Sequence, residues 1–556
     1  MHRSKGFAFC SAAFALLSAT SAFAAMPAFG VVTPNRKVRP NDAPMTSKGA
    51  ALEAARNEFE AFQIVFTAPS GAASGVSAKV AGALSGPGGT SIPKRAVTLY
   101  RAAYYDVGAA SNDEGAPGLW PDPLVPDVDT YVGETRNAFP FDVPAGASRV
   151  VWVDVLVPAD AAPGDYTGSI EIDAAGAKIG SVPISLHVGT FSLPSTPSLA
   201  TQFGMGWSDP CLAHTGDDYC GDPNFDEHPA DRLRALYVRA ALEHRFTISP
   251  IDFQPPFGGS RAPFEETLLP YVEGTGACRL AGAKVTSVVI DGGDASLQGW
   301  VDYAKQKGFF DRLVYYPTDE PGSNASAWAA FVGHAEALHA VDPDAKILIT
   351  STIDEAMAQG ADGDVDRFVP VIDQLEGRPD SAYPGNQRPK YDAWLAAKSN
   401  RSIWSYQSCD EHGCGDCGTP STGPDYTGWP NRVIDSSAVQ DRAFPWHAFR
   451  LDVSGELYFD SSYQLTTAWD DDGQCAFSGS GDGTVFYAGK PSIIGGQTDI
   501  PVESIRMKMI REGIEDYEYL VLASKKDAKK AKQIANDLFP HTYESAKSPA
   551  ELEAAR

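Results

Sequence analysis

Apolar and polar residues alternate in several short segments of the first third of the chain. In residues 62–66, 151–157 and 184–188, apolar side chains recur at two-residue spacing, as in a strand with one buried face. Turn-forming residues such as Ala162-Pro-Gly-Asp165 separate these segments. The pattern predicts an antiparallel β-sandwich domain over residues 25–195.

A different pattern begins after the Pro- and Ser-containing linker at 193–198. Longer spacers, two of which have helical character at 231–243 and 326–339, now separate the apolar runs. The predicted strands are 202–207, 246–251, 285–290, 312–316, 346–350, 401–406 and 456–459. Strands that alternate with helices over this length predict a parallel (β/α)8-type barrel over residues 196–500.

The last part of the chain has helical periodicity. Apolar residues from Ile505 to Val521 recur every three to five positions, which predicts a helix over 502–523 with one buried stripe. Mixed charges at helical spacing in 511–520 are typical of a helix that docks through ion pairs. We therefore expect residues 501–556 to form a C-terminal helical extension.

The first 24 residues have the organisation of a secretory signal peptide. Basic residues at 2–5 precede an apolar run at 6–18, and small residues at Ala22 and Ala24 fit a cleavage site. No later segment has 18 uninterrupted apolar residues, so no membrane span is predicted. We expect a secreted or periplasmic protein of unknown oligomeric state.

Charge excludes two classes of partner. The chain has 71 acidic and 45 basic residues and a formal net charge of -26. Proteins that bind phosphate backbones or anionic lipid surfaces usually carry a basic patch, which this balance does not favour. Nucleic acid and membrane surfaces are therefore not expected partners.

Seven cysteines follow the predicted signal peptide. An oxidising compartment makes disulfides the expected state, and the odd number leaves one thiol without an intramolecular partner. The cluster of Cys409, Cys414 and Cys417 around His412 also has residue types and a spacing that suit zinc. Glycines and a proline around the cluster favour a disulfide-stapled loop, which also involves Cys475.

Two adjacent acids, Asp319 and Glu320, follow the predicted strand 312–316. In a barrel, the carboxyl end of a strand is the functional face. Adjacent carboxylates suit sugar hydrolysis in which one acid protonates the leaving oxygen and the other orients the 2-acetamido group of the substrate. The alternative is structural, since acids are also typical of a helix N-cap and first turn.

The residues around this pair resemble glycoside hydrolase family 123. The resemblance includes Lys307-Gly-Phe-Phe-Asp311 and Thr318-Asp-Glu-Pro321. It extends over nearly the whole chain after the signal peptide through the segments 52–63, 163–168, 404–406, 434–435, 455–458, 504–506 and 511–520.

This resemblance implies a retaining, exo-acting N-acetyl-β-galactosaminidase. Glu320 would be the general acid/base, and Asp319 would hold the acetamido group. The chain departs from the family where a sugar would bind, with Ile403-Trp404 in place of paired tryptophans and Phe459-Asp460 where a further tryptophan is expected. No metal or organic cofactor is implied.

Other candidates for substrate binding are aromatic or charged. Trp404 and Tyr406 share one strand face by parity, so they could supply a stacking ring and a hydroxyl, although ordinary barrel core explains both equally well. The remaining candidates are Tyr316, Asp435, Arg442, Trp446, Tyr458 and Trp469. A buried ion pair of Asp435 with Arg442 is an alternative for those two.

The sequence therefore predicts a secreted retaining glycoside hydrolase that acts on β-linked N-acetylhexosaminides. Two alternatives remain. The same scaffold could cleave a different sugar, or the protein could bind glycans without turnover.

Overall fold

The computed structural model describes residues 26–222, 229–251, 262–409, 411, 412, 414, 419, 422–476, 479–546 and 548–555. The predicted signal peptide, residues 1–24, lies outside them. Within them the chain forms an N-terminal β-rich domain followed by an α/β part.

Two sheets of the β-rich domain share one hydrophobic core. The first is antiparallel throughout, with the strand order Ala28–Val32, Glu58–Thr67, Ser148–Val157, Val97–Val107, Gly118–Pro126, Ile500–Ser504 and Tyr487–Gly489. The second has the order Ala50–Arg56, Ala177–Ser192, Gly164–Ala174, Ala73–Val80 and Phe141–Val143, with the short strands Leu84–Ser85 and Ser91–Ile92 beside it. The pair Ala50–Arg56 and Ala177–Ser192 is parallel, an exception to the predicted antiparallel arrangement.

The strand Ser148–Val157 is buried on both faces, although the sequence pattern predicts a strand with only one buried face. Val151 and Val153 face the core between the two sheets. Trp152, on the opposite face, packs with Met509 of the C-terminal helix. The second face is apolar because this helix covers it.

Parallel strands form a half-barrel sheet in the α/β part. One set has the order Ile248–Ser249, Ala200–Gly204, Gly455–Tyr458 and Ser405–Tyr406, a second pairs Val288–Ile290 with Leu313–Tyr315, and a third has the order Leu348–Ile349, Arg367–Phe368 and Ser402–Ile403. Parallel bridges between Tyr315 and Ile347 and between Val371 and Tyr406 link the three sets. Two antiparallel pairs lie apart, Glu376–Gly377 with Gly385–Asn386 and Cys475–Ala476 with Gly479–Ser480.

Strands occur in all seven regions predicted for this part, most of them shorter than predicted; Gly455–Tyr458 is shifted by one position, and Ser402–Ile403 and Ser405–Tyr406 replace the single strand 401–406. A further parallel strand, Arg367–Phe368, escaped prediction because one of its two residues is a charged arginine, which interrupts the apolar pattern. Its Arg367 is buried, with the guanidinium carbon 3.9 Å from the centre of the Trp404 ring. Such a charged residue in a barrel strand hides the apolar character that sequence patterns rely on.

The helices lie mainly between these strands and at the end of the chain. They are Asp209–Thr215, Pro229–Glu243, Ala262–Thr267, Leu269–Glu273, Leu297–Lys307, Ala325–Val341, Ile353–Gln359, Ile372–Leu375, Asp392–Ala397, Ala438–Arg450, Pro491–Ile494, Ile505–Leu538 and Pro549–Ala555. The helices predicted at 231–243 and 326–339 are confirmed. Within the described ranges, no helix combines the length and the apolar character needed to cross a membrane.

The helix Ile505–Leu538 corrects the prediction of a helix over 502–523. Residues 502–504 belong to the preceding strand, and the Ser504 side chain caps the helix by accepting a hydrogen bond from Met507 N. The predicted docking through ion pairs is confirmed, because Arg511 and Lys508 both contact the buried Asp154 of the β-rich domain.

Candidate active site

Asp319 and Glu320 open into a cavity of about 510 Å3. Its walls come mainly from residues at or just beyond the carboxyl ends of the parallel strands, including Gly204, Ser249, Tyr316, Thr350, Tyr406 and Tyr458. Active sites of barrel enzymes occur at this end of the strands, where loops from several strands converge. The cavity is therefore the candidate active site.

Two hydroxyl groups hold Asp319. The Tyr316 hydroxyl donates to Oδ1 at 2.5 Å, and Thr350 Oγ1 donates to the same oxygen at 2.8 Å. Tyr316 follows the strand Leu313–Tyr315, whereas Thr350 follows the neighbouring strand Leu348–Ile349. The carboxylate is therefore oriented from two strands while it stays exposed to the cavity.

Glu320 has an unusual backbone. Its φ angle is +40°, in the left-handed region that residues other than glycine rarely adopt. Its N–H donates to Thr350 Oγ1 at 2.8 Å, and the Tyr406 hydroxyl donates to its Oε1. Successive side chains of an extended strand point to opposite faces, so this local turn allows both acids to line one cavity.

The helix-cap alternative for the two acids is wrong. Asn324 is the N-cap of Ala325–Val341, and its Oδ1 accepts hydrogen bonds from Ser326 N at 3.0 Å and Ala327 N at 3.2 Å. Asp319 and Glu320 lie before this cap and contact tyrosine and threonine hydroxyls instead. Their arrangement is not explained by helix initiation.

Both tyrosines beside the acids stay protonated. Burial, followed by the charge of Asp319, raises the pKa of Tyr316 well above its usual value. Burial, the charge of Glu411 and the hydrogen bond to Glu320 raise the pKa of Tyr406 in the same direction. The two hydroxyls therefore act as hydrogen-bond donors to the carboxylates at any pH at which the protein functions.

A disulfide shapes the loop that follows Tyr406. Ser408 and Glu411 line the cavity, and Cys409 is bonded to Cys414. These sulfurs are therefore not thiolate ligands, and His412 packs edge-on against Trp429 instead.

The other cysteines complete the predicted disulfide pattern only in part. Cys211 is bonded to Cys220, and Cys475 is also disulfide-bonded, whereas Cys417 lies outside the described residues. Cys278 is a free, half-buried thiol whose pKa is raised by burial to about 12. Among the side chains that the structure describes, no group of three or more His, Cys, Asp or Glu residues could hold a metal ion.

Tyr458 also lines the cavity. Its hydroxyl donates to Asp482 Oδ1 at 2.7 Å and accepts from Gly483 N at 2.8 Å. Both contacts fix the ring, so Tyr458 forms a wall of the cavity while its hydroxyl is engaged elsewhere.

Trp404 lies next to the cavity without lining it. It is buried and belongs to the same apolar cluster as Tyr406, as expected for two residues on one strand face. Its ring fills space against Gly455, where an added Cβ would lie 2.3 Å from a ring atom. The barrel-core alternative describes Trp404, whereas Tyr406 reaches the cavity.

Four other candidates have structural partners away from the cavity. Asp435 accepts hydrogen bonds from Ser111 N at 2.8 Å and Ser111 Oγ at 2.6 Å. Arg442 and Trp446 both donate hydrogen bonds to the carboxylate of Asp516. Trp469 donates one to the carbonyl oxygen of Ala488. The suggested ion pair of Asp435 with Arg442 is wrong, because Asp516 of the C-terminal helix takes the guanidinium.

Sequence analysis missed Thr350, which contacts both acids. Its position as the last residue of the predicted strand 346–350 is a usable signal, since barrel chemistry gathers at strand ends. A threonine there is nevertheless common, and its two partners lie 30 and 31 positions earlier in the chain.

Comparisons with known proteins give the family. The sequence matches the family models described as glycoside hydrolase 123 N-terminal domain, over residues 35–174, and glycoside hydrolase 123 catalytic domain, over residues 295–523. No curated protein sequence matches the chain significantly.

A solved structure of a family 123 enzyme has a similar fold. A family 123 glycoside hydrolase from Clostridium perfringens, described in a study of glycolipid glycan hydrolysis, superposes with a TM-score of 0.66 at 13% identity, covering 95% of this chain and 96% of that one. A Bacteroides ovatus GH5 xyloglucanase reaches a TM-score of 0.26 at 11% identity, covering 88% of this chain and all of that one, which is too low to carry an argument. The two family matches, one in each part of the molecule, confirm the resemblance read from the sequence: the chain belongs to glycoside hydrolase family 123.

Proposed function

We propose that the protein is a secreted, retaining glycoside hydrolase that cleaves β-linked N-acetylhexosaminides, in the first place N-acetyl-β-galactosaminides. The 2-acetamido group of the substrate attacks its own anomeric carbon. Glu320 is the general acid/base and Asp319 holds the acetamido group. The observation that carries this proposal is the placement of two adjacent carboxylates in one cavity, each held by a tyrosine hydroxyl.

Glu320 suits proton transfer because its carboxyl group is exposed to the cavity. Tyr406 donates a hydrogen bond to Oε1, which leaves Oε2 to protonate the leaving oxygen. After departure of the aglycone, the same carboxylate would accept a proton from the incoming water.

Asp319 suits the orienting role because both donors converge on Oδ1. Oδ2 can then accept the acetamide N–H, which aims the acetamide oxygen at the anomeric carbon. The cyclic oxazolinium formed in this step is positively charged, and a fixed carboxylate next to it lowers the barrier. Two inversions at one carbon give net retention.

The scaffold proposal is a closed (β/α)8-type barrel over 196–500, flanked by the β-rich domain at 25–195 and the C-terminal extension at 501–556. Support comes from hydrogen bonds of threonine hydroxyls, which join the regions of the strands Ala200–Gly204, Ile248–Ser249 and Val288–Ile290. Thr247 and Thr286 hydroxyls lie 2.9 Å apart, and Thr201 N donates to Thr286 Oγ1 at 2.8 Å. These contacts connect strand regions that no ladder joins among the described residues.

Secretion is supported by the signal-like residues 1–24 and by the disulfides. Disulfides persist mainly in oxidising compartments. Export would bring the cavity into contact with extracellular or periplasmic glycans.

The test measures the hydrolysis of three chromogenic β-glycosides by the purified protein. They are the N-acetylgalactosaminide, the N-acetylglucosaminide and the unacetylated galactoside. We expect turnover of the first two, the galactosaminide being faster, and no turnover of the third. Proton magnetic resonance of the first product should detect the β-anomer, and a thiazoline analogue of the oxazolinium should inhibit competitively.

Asp319→Asn should reduce kcat by orders of magnitude, on the order of 100-fold or more, since the developing cation loses its counter-charge. An inverted product or efficient cleavage of the plain galactoside would contradict the participation mechanism. Glycan binding without turnover of any substrate in a broad panel would instead identify a binding protein.

A further inference from the structure

We propose that Thr350 is the positioning residue that keeps Asp319 and Glu320 on one cavity wall. Its Oγ1 atom makes both contacts at once: it accepts the Glu320 N–H at 2.8 Å and donates to Asp319 Oδ1 at 2.8 Å. One hydroxyl group has one proton to give, so donation to Asp319 and acceptance from Glu320 use it in complementary directions. Through these two contacts Thr350 acts on the positions of the two acids.

The contact with the Glu320 N–H stabilises a strained backbone. At a φ of +40°, Glu320 occupies a conformation that only glycine adopts without strain. In relaxed extended backbone, the two acid side chains would point to opposite sides. The hydrogen bond to Thr350 is formed only while the Glu320 N–H faces the neighbouring strand, and it thereby favours the turn that brings both carboxylates together.

Thr350 is itself well fixed. It is 4% exposed and follows the strand Leu348–Ile349, which lies next to the strand leading to the acids. A β-branched side chain has few allowed rotamers, so the hydroxyl has a defined direction. The position of the acids relative to the barrel is therefore set by two strands rather than by one flexible loop.

Tyr316 cannot replace this function. Its hydroxyl donates to Asp319, yet the contact that holds the Glu320 backbone involves Thr350 alone among the residues that the structure describes. Loss of the Thr350 hydroxyl should therefore release Glu320 more than Asp319.

The kinetic part of this inference rests on the proposed function. Thr350→Val keeps the shape of the side chain and removes the hydroxyl. We expect kcat to fall about 10- to 100-fold, the cost of a misplaced catalytic group, while KM changes less than about twofold. Thr350→Ser, which restores the hydroxyl, should recover kcat to within about threefold of wild type.

Thr67→Val is the matched control. Thr67 is equally buried, and its hydroxyl contacts Ser148 Oγ at 2.9 Å in the β-rich domain, away from the cavity. This variant should keep the kcat of wild type, and it should show any loss of stability that follows from replacing a buried threonine by valine. Equal kcat losses in Thr67→Val and Thr350→Val, or failure of serine to rescue, would overturn the proposal.

Crystal structures of wild type, Thr350→Val and Thr350→Ser separate this inference from the proposed function. We expect residue 320 to leave the left-handed region in the valine variant and to keep it in the serine variant. If wild type cleaves no 2-acetamido glycoside, the proposed function fails while this comparison still decides the role of Thr350. An unchanged backbone and unchanged acid positions in Thr350→Val would refute that role.

Discussion

Carboxylates cluster in two regions of this molecule with opposite surroundings. In the cavity, Asp319 and Glu320 are exposed and contact hydroxyl groups. At the junction with the β-rich domain, Asp154 is fully buried and contacts Lys508 at 2.7 Å and Arg511 at 3.0 Å. Pairing with cations neutralises the buried acid, whereas hydroxyl donors orient the cavity acids and leave their charge available to a substrate.

The electrostatic consequences differ accordingly. Burial alone would raise the pKa of Asp154, but Arg511 and Lys508 overcome it and hold that pKa well below its usual value. A buried acid with this environment stays ionised and contributes to folding rather than to chemistry. Charge alone therefore does not distinguish a catalytic carboxylate from a structural one; the identity of its partners does.

The largest expected effect is that of Glu320→Gln. Natural glycosides need protonation of the leaving oxygen, so kcat should fall about 1,000-fold, and activated aryl glycosides should lose less. Steady-state kinetics on both substrate types measure this difference. Glu336→Gln, at an exposed position of the helix Ala325–Val341, is the matched control and should be neutral. Equal mild losses on both substrate types would remove Glu320 from the acid/base role.

Asp154→Asn tests the role of the buried acid at the junction with the β-rich domain. Lys508 and Arg511 each lose one of two buried counter-charges and keep Glu503 and Glu512, respectively. The free energy of unfolding should therefore fall by about 3 kcal/mol while kcat of the folded fraction is unchanged. Denaturant unfolding followed by fluorescence checks this value. The control is Lys178→Met, which removes the ion pair of an exposed lysine side chain with Glu171 and should leave the free energy of unfolding nearly unchanged. A catalytic defect at full stability would contradict the separation of the two regions.

Tyr406→Phe should have a smaller effect on turnover. It removes one hydrogen bond to a charged group, which corresponds to about a tenfold decrease in kcat. Because the pKa of Tyr406 is raised, its hydroxyl is protonated throughout the working range, and the decrease should be the same at pH 6 and pH 9. A loss confined to one end of the pH profile would show that Tyr406 itself titrates.

The smallest effect concerns Asp460, next to the cavity wall formed by Phe459. Burial raises the pKa of Asp460 to about 6, so between pH 4 and pH 6 the folded state binds more protons than the unfolded state. Stability should therefore decline as pH rises through this window, by about 1 kcal/mol after allowance for partial exposure. Asp460→Asn should flatten this part of the thermal stability profile, and an unchanged slope would assign the decline to other groups.

Sequence patterns within a short segment predicted the features that are determined within that segment. Alternation located three strands of the β-rich domain, apolar runs located most strands of the α/β part, and the acid pair at a strand end located the cavity. The strand Arg367–Phe368 was missed because its two residues include a buried arginine that is accommodated by the ring of Trp404 and the hydroxyl group of Ser402. No pattern in the neighbouring sequence indicates those contacts.

Partners far apart in sequence explain the remaining differences. Arg442 and Trp446 are aromatic and charged residues near a barrel strand, which makes them reasonable binding candidates. Asp516, about 70 positions later, takes both through hydrogen bonds. The positioning role of Thr350 could not be inferred from the sequence, because it depends on the contact between two neighbouring strands.

The strand Ile500–Ser504 has a consequence for synthesis. It pairs with Gly118–Pro126, bringing Glu503 opposite Leu124, so the ribosome must make the whole catalytic part before the first sheet receives this strand. Contacts so distant in sequence form slowly. During translation the nascent β-rich domain would thus expose an open sheet edge, of the kind that pairs with other chains, for as long as some 380 residues take to emerge.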